Sequence, residues 1–161
     1  MTKLVDLILE TEPEFFRQPN DYTCGPSAVY MLSRALGKLN SFEEIKKMTH
    51  ANPLTGALPM FIASTLRRLG LQAHKAKARS GTEVAALAVQ GPVILLGVLD
   101  GWPHWVLVYQ VQNGRFQVAD PSAGMRDMST SDIDAFLSPK RLKSLFRIIG
   151  GMLGTAFQVQ H

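Results

Sequence analysis

Cys24 is the only cysteine in the 161 residues, and the residues around it point to nucleophilic chemistry. It stands in Gln18-Pro-Asn-Asp-Tyr-Thr-Cys24-Gly-Pro-Ser27, at the expected first turn of an apolar helix and six positions after Gln18. A helix N-terminus carries partial positive charge, which favours a thiolate, the form in which cysteine attacks. Such a nucleophile needs a base and a group to orient that base. Both are available in Gly101 to Gly124, GWPHWVLVYQVQNGRFQVADPSAG. His104 opens a strand-like run, Trp105 to Val111, and a second run, Arg115 to Ala119, leads to Asp120-Pro121. Between them Gln112-Asn113-Gly114 reads as a three-residue hairpin loop with Gly114 in the left-handed position. In that register Val111 faces Arg115 and Asp120 faces Val106, on the same face as His104. Asp120 and His104 are then diagonal neighbours, roughly 7–8 Å apart at the backbone, a gap their side chains can close. The carboxylate would hold the imidazole in the tautomer that accepts the thiol proton. A one-residue change in register would send the two to opposite faces.

Each of these residues has an ordinary alternative. A lone cysteine in a helix is commonly a small buried hydrophobe. His104 reads equally as a core histidine, Asp120 before a proline as a turn residue, and Gln18 as a solvated loop side chain. Trp102 and Trp105 flank the histidine and could wall a substrate groove or simply pack. Asp100 before Gly101 is a turn former. His50, His74 and His161 have no partners at metal-ligand spacing, and no metal or other cofactor is implied.

The elements that must position the site can be read from periodicity and punctuation. Val29, Leu32 and Leu36 at helical spacing give a helix from Cys24 to Leu36, with Gly37 as its stop. Ser41 and Glu44 resemble a capping box opening a short helix to about Met48. Leu58 to Leu69 is a second amphipathic helix, Leu71 to Lys77 a short strand and Thr82 to Val89 a further helical stretch. Val93 to Leu99 is a continuous apolar run suited to a buried strand. A capped helix from about Ser131 to Leu137 follows the hairpin. Helices first and an antiparallel sheet after them make an α+β domain.

At this length the chain fits one domain, residues 1–161, with a core of about 16–137 and a basic apolar tail, 139–161. A formal charge of +4 without an aromatic-interleaved basic patch argues against nucleic acid as partner. One cysteine excludes an internal disulfide framework and a thiolate zinc cluster. The N-terminal MTKLVDLILETEPEFF lacks the apolar core and cleavage site of a signal peptide, and no apolar run approaches a membrane span. A cytoplasmic location is expected, with non-classical secretion as an effector left open. The tail mixes Lys140, Arg141, Lys143 and Arg147 with Leu142, Leu145, Phe146, Ile148 and Ile149. That pattern resembles a basic amphipathic helix able to touch a membrane, but its modest charge favours a lid helix or a final strand.

Gln18-x5-Cys24-Gly25, the His104-Trp105-Val106 strand opening and Asp120-Pro121, in this order, resemble the papain-like cysteine peptidases. Among these they are most similar to the bacterial double-glycine leader peptidases, which process bacteriocins and related peptides and begin many peptide-exporting ABC transporters. The resemblance runs from about Phe16 to Leu137 and implies a papain-like fold, N-terminal helices packed on a C-terminal antiparallel sheet. It implies Cys24 as nucleophile, His104 as base, Asp120 as orienting residue and Gln18, with the Cys24 N–H, as oxyanion hole. The implied substrate is a peptide or protein with small residues at the cut, of Gly-Gly type, and a peptide-export ABC transporter is the implied partner. No transporter segments follow in this sequence, which implies a free-standing version. Related papain-like acyltransferases, the phytochelatin synthases among them, use the same residues to transfer the acyl group to another acceptor. A leader-binding domain without turnover is a third reading.

Overall fold

The computed structural model describes residues 12–160, and its helices form where apolar residues recur at helical spacing behind a cap or a proline. Helix α1 (Cys24–Ala35) buries the face bearing Ala28, Val29, Met31 and Leu32. Helix α2 (Phe42–Thr49) is capped by the Ser41 hydroxyl, which accepts from the Glu44 N–H at 3.1 Å. Helix α3 (Pro59–Arg68) opens on a proline, whose missing N–H costs nothing at a first turn. Strand β1 (Gln72–Lys77) and helix α4 (Gly81–Ala88) lead into β2 (Val93–Leu99), β3 (Trp102–Gln112) and β4 (Arg115–Asp120). Then come β5 (Gly124–Ser129) and α5 (Thr130–Phe136), which starts on a full Ser129/Asp132 capping box. Two 3-10 turns, Pro139–Arg141 and Ser144–Met152, precede β6 (Thr155–Gln160).

The six strands form one antiparallel sheet in the order β1-β6-β2-β3-β4-β5. One face carries Ile94, Leu96, Trp105, Leu107 and Phe157 against Val29, Leu32, Ile45, Ile62 and Leu66 of α1, α2 and α3. The other carries Val93, Leu95, Val106, Val108, Phe116 and Val118 against Val84, Ile133 and Phe136 of α4 and α5. Each such buried aliphatic or aromatic side chain contributes about 1.5–3 kcal/mol. The N-terminal helices thus pack on the sheet as expected, and the later helices cover its second face.

Both hairpins of β3 close tightly, the first at the expected Asp100-Gly101 turn and the second on a shorter turn than expected. Asp100-Gly101 and Asn113-Gly114 all have positive φ, 52°, 85°, 53° and 73°, so each hairpin closes on a tight two-residue turn. The expected three-residue loop at Gln112-Asn113-Gly114 is therefore corrected: Gln112 pairs with Arg115 and remains in the strand. Counting from that turn alone, Asp120 would fall opposite Leu107, away from the His104 face. A β-bulge between Val108 and Gln110 leaves Tyr109 without a cross-strand partner. Beyond it the pairs are Val108↔Val118 and Leu107↔Ala119, so Asp120 comes opposite Val106 after all.

Strand β5 follows a turn at 121–123 and was not legible as a strand. The tail resolves into a final strand: β6 lies between β1 and β2, with Phe157 and Val159 buried. Residues 1–11 and His161, and the side chains of Leu145, Arg147 and Ile148, lie outside the described residues. Among the described residues no helix is long and apolar enough to cross a membrane.

Candidate active site

The β3–β4 ladder stops at Leu107↔Ala119, and beyond it the N-terminal segment takes up backbone groups of both strands. The Trp105 N–H donates to Cys24 Sγ at 3.5 Å, and the Pro121 carbonyl accepts from the Gln18 N–H at 2.9 Å. Cys24, the first residue of α1, is thereby set beside β3 at the end of the sheet and is buried. Gly25 makes this approach feasible. A Cβ there would meet Ala57 Cβ at 2.7 Å, with Trp105 and Ile62 close behind.

His104 Nε2 lies 2.7 Å from Asp120 Oδ1, with both side chains buried. With Nε2 committed to Asp120, the imidazole nitrogen left for a thiol is Nδ1. Burial pulls the imidazolium down, but the bond to Asp120 and the charges of Cys24 and Asp120 outweigh it. The His104 pKa rises to about 9. Burial alone would favour protonated Asp120; the His104 bond and charge, with the Ser122 and Ala123 N–H groups, instead bring its pKa to about 2. An imidazolium beside a permanent carboxylate therefore persists through neutral pH. Gly97 pairs with His104 across β2 and has no side chain, and the Phe136 ring fills that space, walling the imidazole with apolar surface.

Thr23, the N-cap of α1, makes no side-chain bond to the helix; its hydroxyl donates back to the Asn20 carbonyl at 3.1 Å. The first-turn N–H groups consequently receive no side-chain cap, and Pro26 has none to offer. Gln18 Nε2 donates one hydrogen to Asn20 O at 2.8 Å, which fixes the amide orientation and leaves its second N–H free of that bond. Gln18 Oε1 is buried without a partner among the described residues.

His104 and Asp120 are thus joined, Cys24 lies against the backbone of Trp105, the residue after His104, and Gln18 is tied to the Asp120 turn through its backbone. The two tryptophans separate. Trp105 is a core residue whose indole N–H donates to Ala57 O at 2.8 Å. Trp102 is 50% exposed on the strand face of His104, stacked on Phe146 at 4.6 Å beneath the Lys143 ammonium. His50 and His74 are exposed. Sequence reasoning missed Arg126, whose Nη1 donates to Asp120 Oδ2 at 3.2 Å. Its strand has only one fully buried apolar residue, Met128, and so gives little hydrophobic signal.

A sequence model of the peptidase C39 family matches residues 13–138. No curated protein sequence matches significantly. Among solved structures, the peptidase domain of Streptococcus ComA, a bifunctional ABC transporter of a quorum-sensing pathway, is 17% identical with a TM-score of 0.73, over 92% of this chain and 98% of that one. A double glycine motif protease from an AMS/PCAT transporter, solved with its leader peptide, is 14% identical with a TM-score of 0.69, over 92% and 91% of the two chains. The N-terminal peptidase C39-like domain of a toxin secretion ATP-binding protein from Vibrio parahaemolyticus is 15% identical with a TM-score of 0.57, over 88% and 98%. At these identities the structural likeness establishes the fold, papain-like with helices on an antiparallel sheet. The family match spans most of the chain, and the chain belongs to the peptidase C39 family of cysteine peptidases.

Proposed function

We propose that this chain hydrolyses peptide bonds after small residues, of the Gly-Gly leader type, through an acyl-thioester on Cys24. The observation that carries the reading is the 2.7 Å bond between buried His104 and Asp120, with Cys24 Sγ held on the N–H of the next residue, Trp105. In this reading the Cys24 thiolate attacks the scissile carbonyl, and the negative charge moves to the carbonyl oxygen. The Cys24 N–H and the spare Gln18 N–H are the donors for that oxyanion, a contribution of about 2.7–4 kcal/mol per donor in comparable sites. His104, held by Asp120, gives its proton to the leaving amine. It then takes one from the water that releases the acyl group as a carboxylate. A glycine pair suits the site because backbone without side chains can thread a narrow cleft.

The family match and the leader-peptide complex of a structural neighbour support a peptide substrate. The transporter origin of the neighbours makes a peptide-export ABC transporter the partner to test, in the cytoplasm. Mass spectrometry of double-glycine leader peptides incubated with wild-type protein and Cys24→Ala tests the reading. Cleavage after Gly-Gly by wild type alone is expected. Intact peptides, or an acyl-transfer product in place of a carboxylate, would overturn it.

A further inference from the structure

Asp120 is gripped from two sides. It lies opposite Gly124 on β5, so Arg126, two residues further, is its diagonal neighbour on the same sheet face. On the other side, His104 is the diagonal neighbour on β3. The two carboxylate oxygens are divided between them. Oδ1 accepts from His104 at 2.7 Å and from the Ser122 and Ala123 N–H groups at 2.9 and 3.2 Å. Oδ2 accepts from Arg126 Nη1 at 3.2 Å, its single donor among the described residues. We propose that Arg126 is a positioning residue for the reaction: it fixes the rotation of the Asp120 carboxylate and so keeps Oδ1 on His104. The inference rests on the catalytic reading above.

Asp120 is 0% exposed with Arg126 over it, and a methionine at 126 keeps that cover while removing the donor at Oδ2. An unpaired anionic oxygen in that environment is costly. The χ2 torsion of aspartate is broad, so the carboxylate can turn to share one set of donors between two oxygens. That rotation lengthens the bond to His104 and weakens the imidazolium. A competing effect has the opposite sign. Removing a cation near Asp120 leaves the carboxylate more negative and would raise the imidazolium pKa. The Arg126 side chain is 38% exposed, so its long-range field is damped by solvent while its hydrogen bond is local. Loss of position therefore outweighs loss of charge. From α1 the Cys24 side chain faces His104, and the Arg17 guanidinium is held on the Ser122 carbonyl at 2.6 Å and makes no bond to Asp120.

The test compares Arg126→Met and Arg126→Lys with wild type in two assays. The first is inactivation by iodoacetate across pH. This anionic reagent is drawn to a thiolate paired with an imidazolium, so its rate falls on the alkaline side as His104 deprotonates. It needs no knowledge of the peptide substrate. In Arg126→Met the alkaline limb should move down by about one unit, and Arg126→Lys should recover at least half of that shift. The second is leader-peptide cleavage, where kcat should fall about tenfold with KM within about twofold. An unmoved limb would overturn the proposal and leave Arg126 as a brace of the β4–β5 hairpin. An upward shift would also overturn it, making Arg126 a charge neutraliser. Absence of cleavage by wild type, with the expected limb shift present, would sink the substrate reading and spare this one.

Discussion

Strand β3 takes part in two hairpins that close on the same kind of turn and yet differ in register. With β2 it pairs without interruption from Val93↔Val108 to Leu99↔Trp102. With β4 it carries one surplus residue, Tyr109, just past the last pair with β2. The reason lies in the side-chain pattern. His104, Val106 and Val108 share a face at period two, but the next residue packed on that face is Val111. On β4 the same face runs regularly through Phe116, Val118 and Asp120. One strand has a residue more than the other, and the bulge absorbs it where β3 is clamped on one side only. Where β3 is paired on both sides, at Leu107 and Val108, there is no slack, and the regular pairing with β2 carries that register on to His104.

Deletions probe that difference most severely. Removing Leu107 shortens the doubly clamped part, slides His104 against Gly97 and Asp120, and should cost cleavage at least about a hundredfold. Removing Tyr109 should close the bulge into a regular ladder, keep Asp120 opposite Val106, and leave the rate within about tenfold. Kinetics with melting curves for both variants check this. A folded Tyr109 deletion that is as inactive as the Leu107 deletion would show that the slack is not there.

Asp120→Asn keeps the register and removes the charge. The expected loss in kcat is about a hundredfold to ten-thousandfold. Wild-type activity should fall on the alkaline side with an apparent pKa of about 9, as the imidazolium loses its proton. In the asparagine variant that limb should move down toward the ordinary histidine value. Asp120 stays ionised down to about pH 2, so it does not supply the acidic limb. The pair also stabilises the fold. The His104 part is whole below pH 6.5 and lost as pH rises through about 9; the Asp120 part is whole above 3.8 and lost as pH falls through about 2.

The turns give the smallest effects. Alanine at Gly101 or Gly114 must adopt positive φ, at about 1–2 kcal/mol. A Cβ at Gly114 meets nothing within 4 Å, whereas at Gly101 it meets the Lys143 side chain at 2.6 Å. Gly101→Ala should therefore lower the melting temperature further and disturb the Lys143 cover on Trp102. Equal shifts in the two variants would remove that distinction.

The thiol at a helix start and the two apolar runs around a Gly-containing turn were legible in the sequence because those signals are local, but the turn is one residue shorter than its residues suggest. The bulge was not legible, since Tyr109 has the same β-favouring character as its neighbours and only the phase of distant residues on β4 exposes it. Asp120 reached the expected partner by a different route, a shorter loop offset by an extra strand residue. Arg126 stayed hidden because β5 has too little apolar alternation to register. The place of β6 depends on pairings more than sixty residues back along the chain, to β2 and β1.

That placement bears on the order in which the molecule is made. Strand β1 pairs with β6, and β6 joins it to β2, so the sheet remains two separate pieces until residues 155–160 are available. During synthesis the thiol, the imidazole and the carboxylate all leave the ribosome well before the strand that joins these pieces. Closure must then wait on the most distant pairing, a slow step by loop-closure entropy. A nascent chain thus carries every residue of its site before the sheet behind them is joined into one piece.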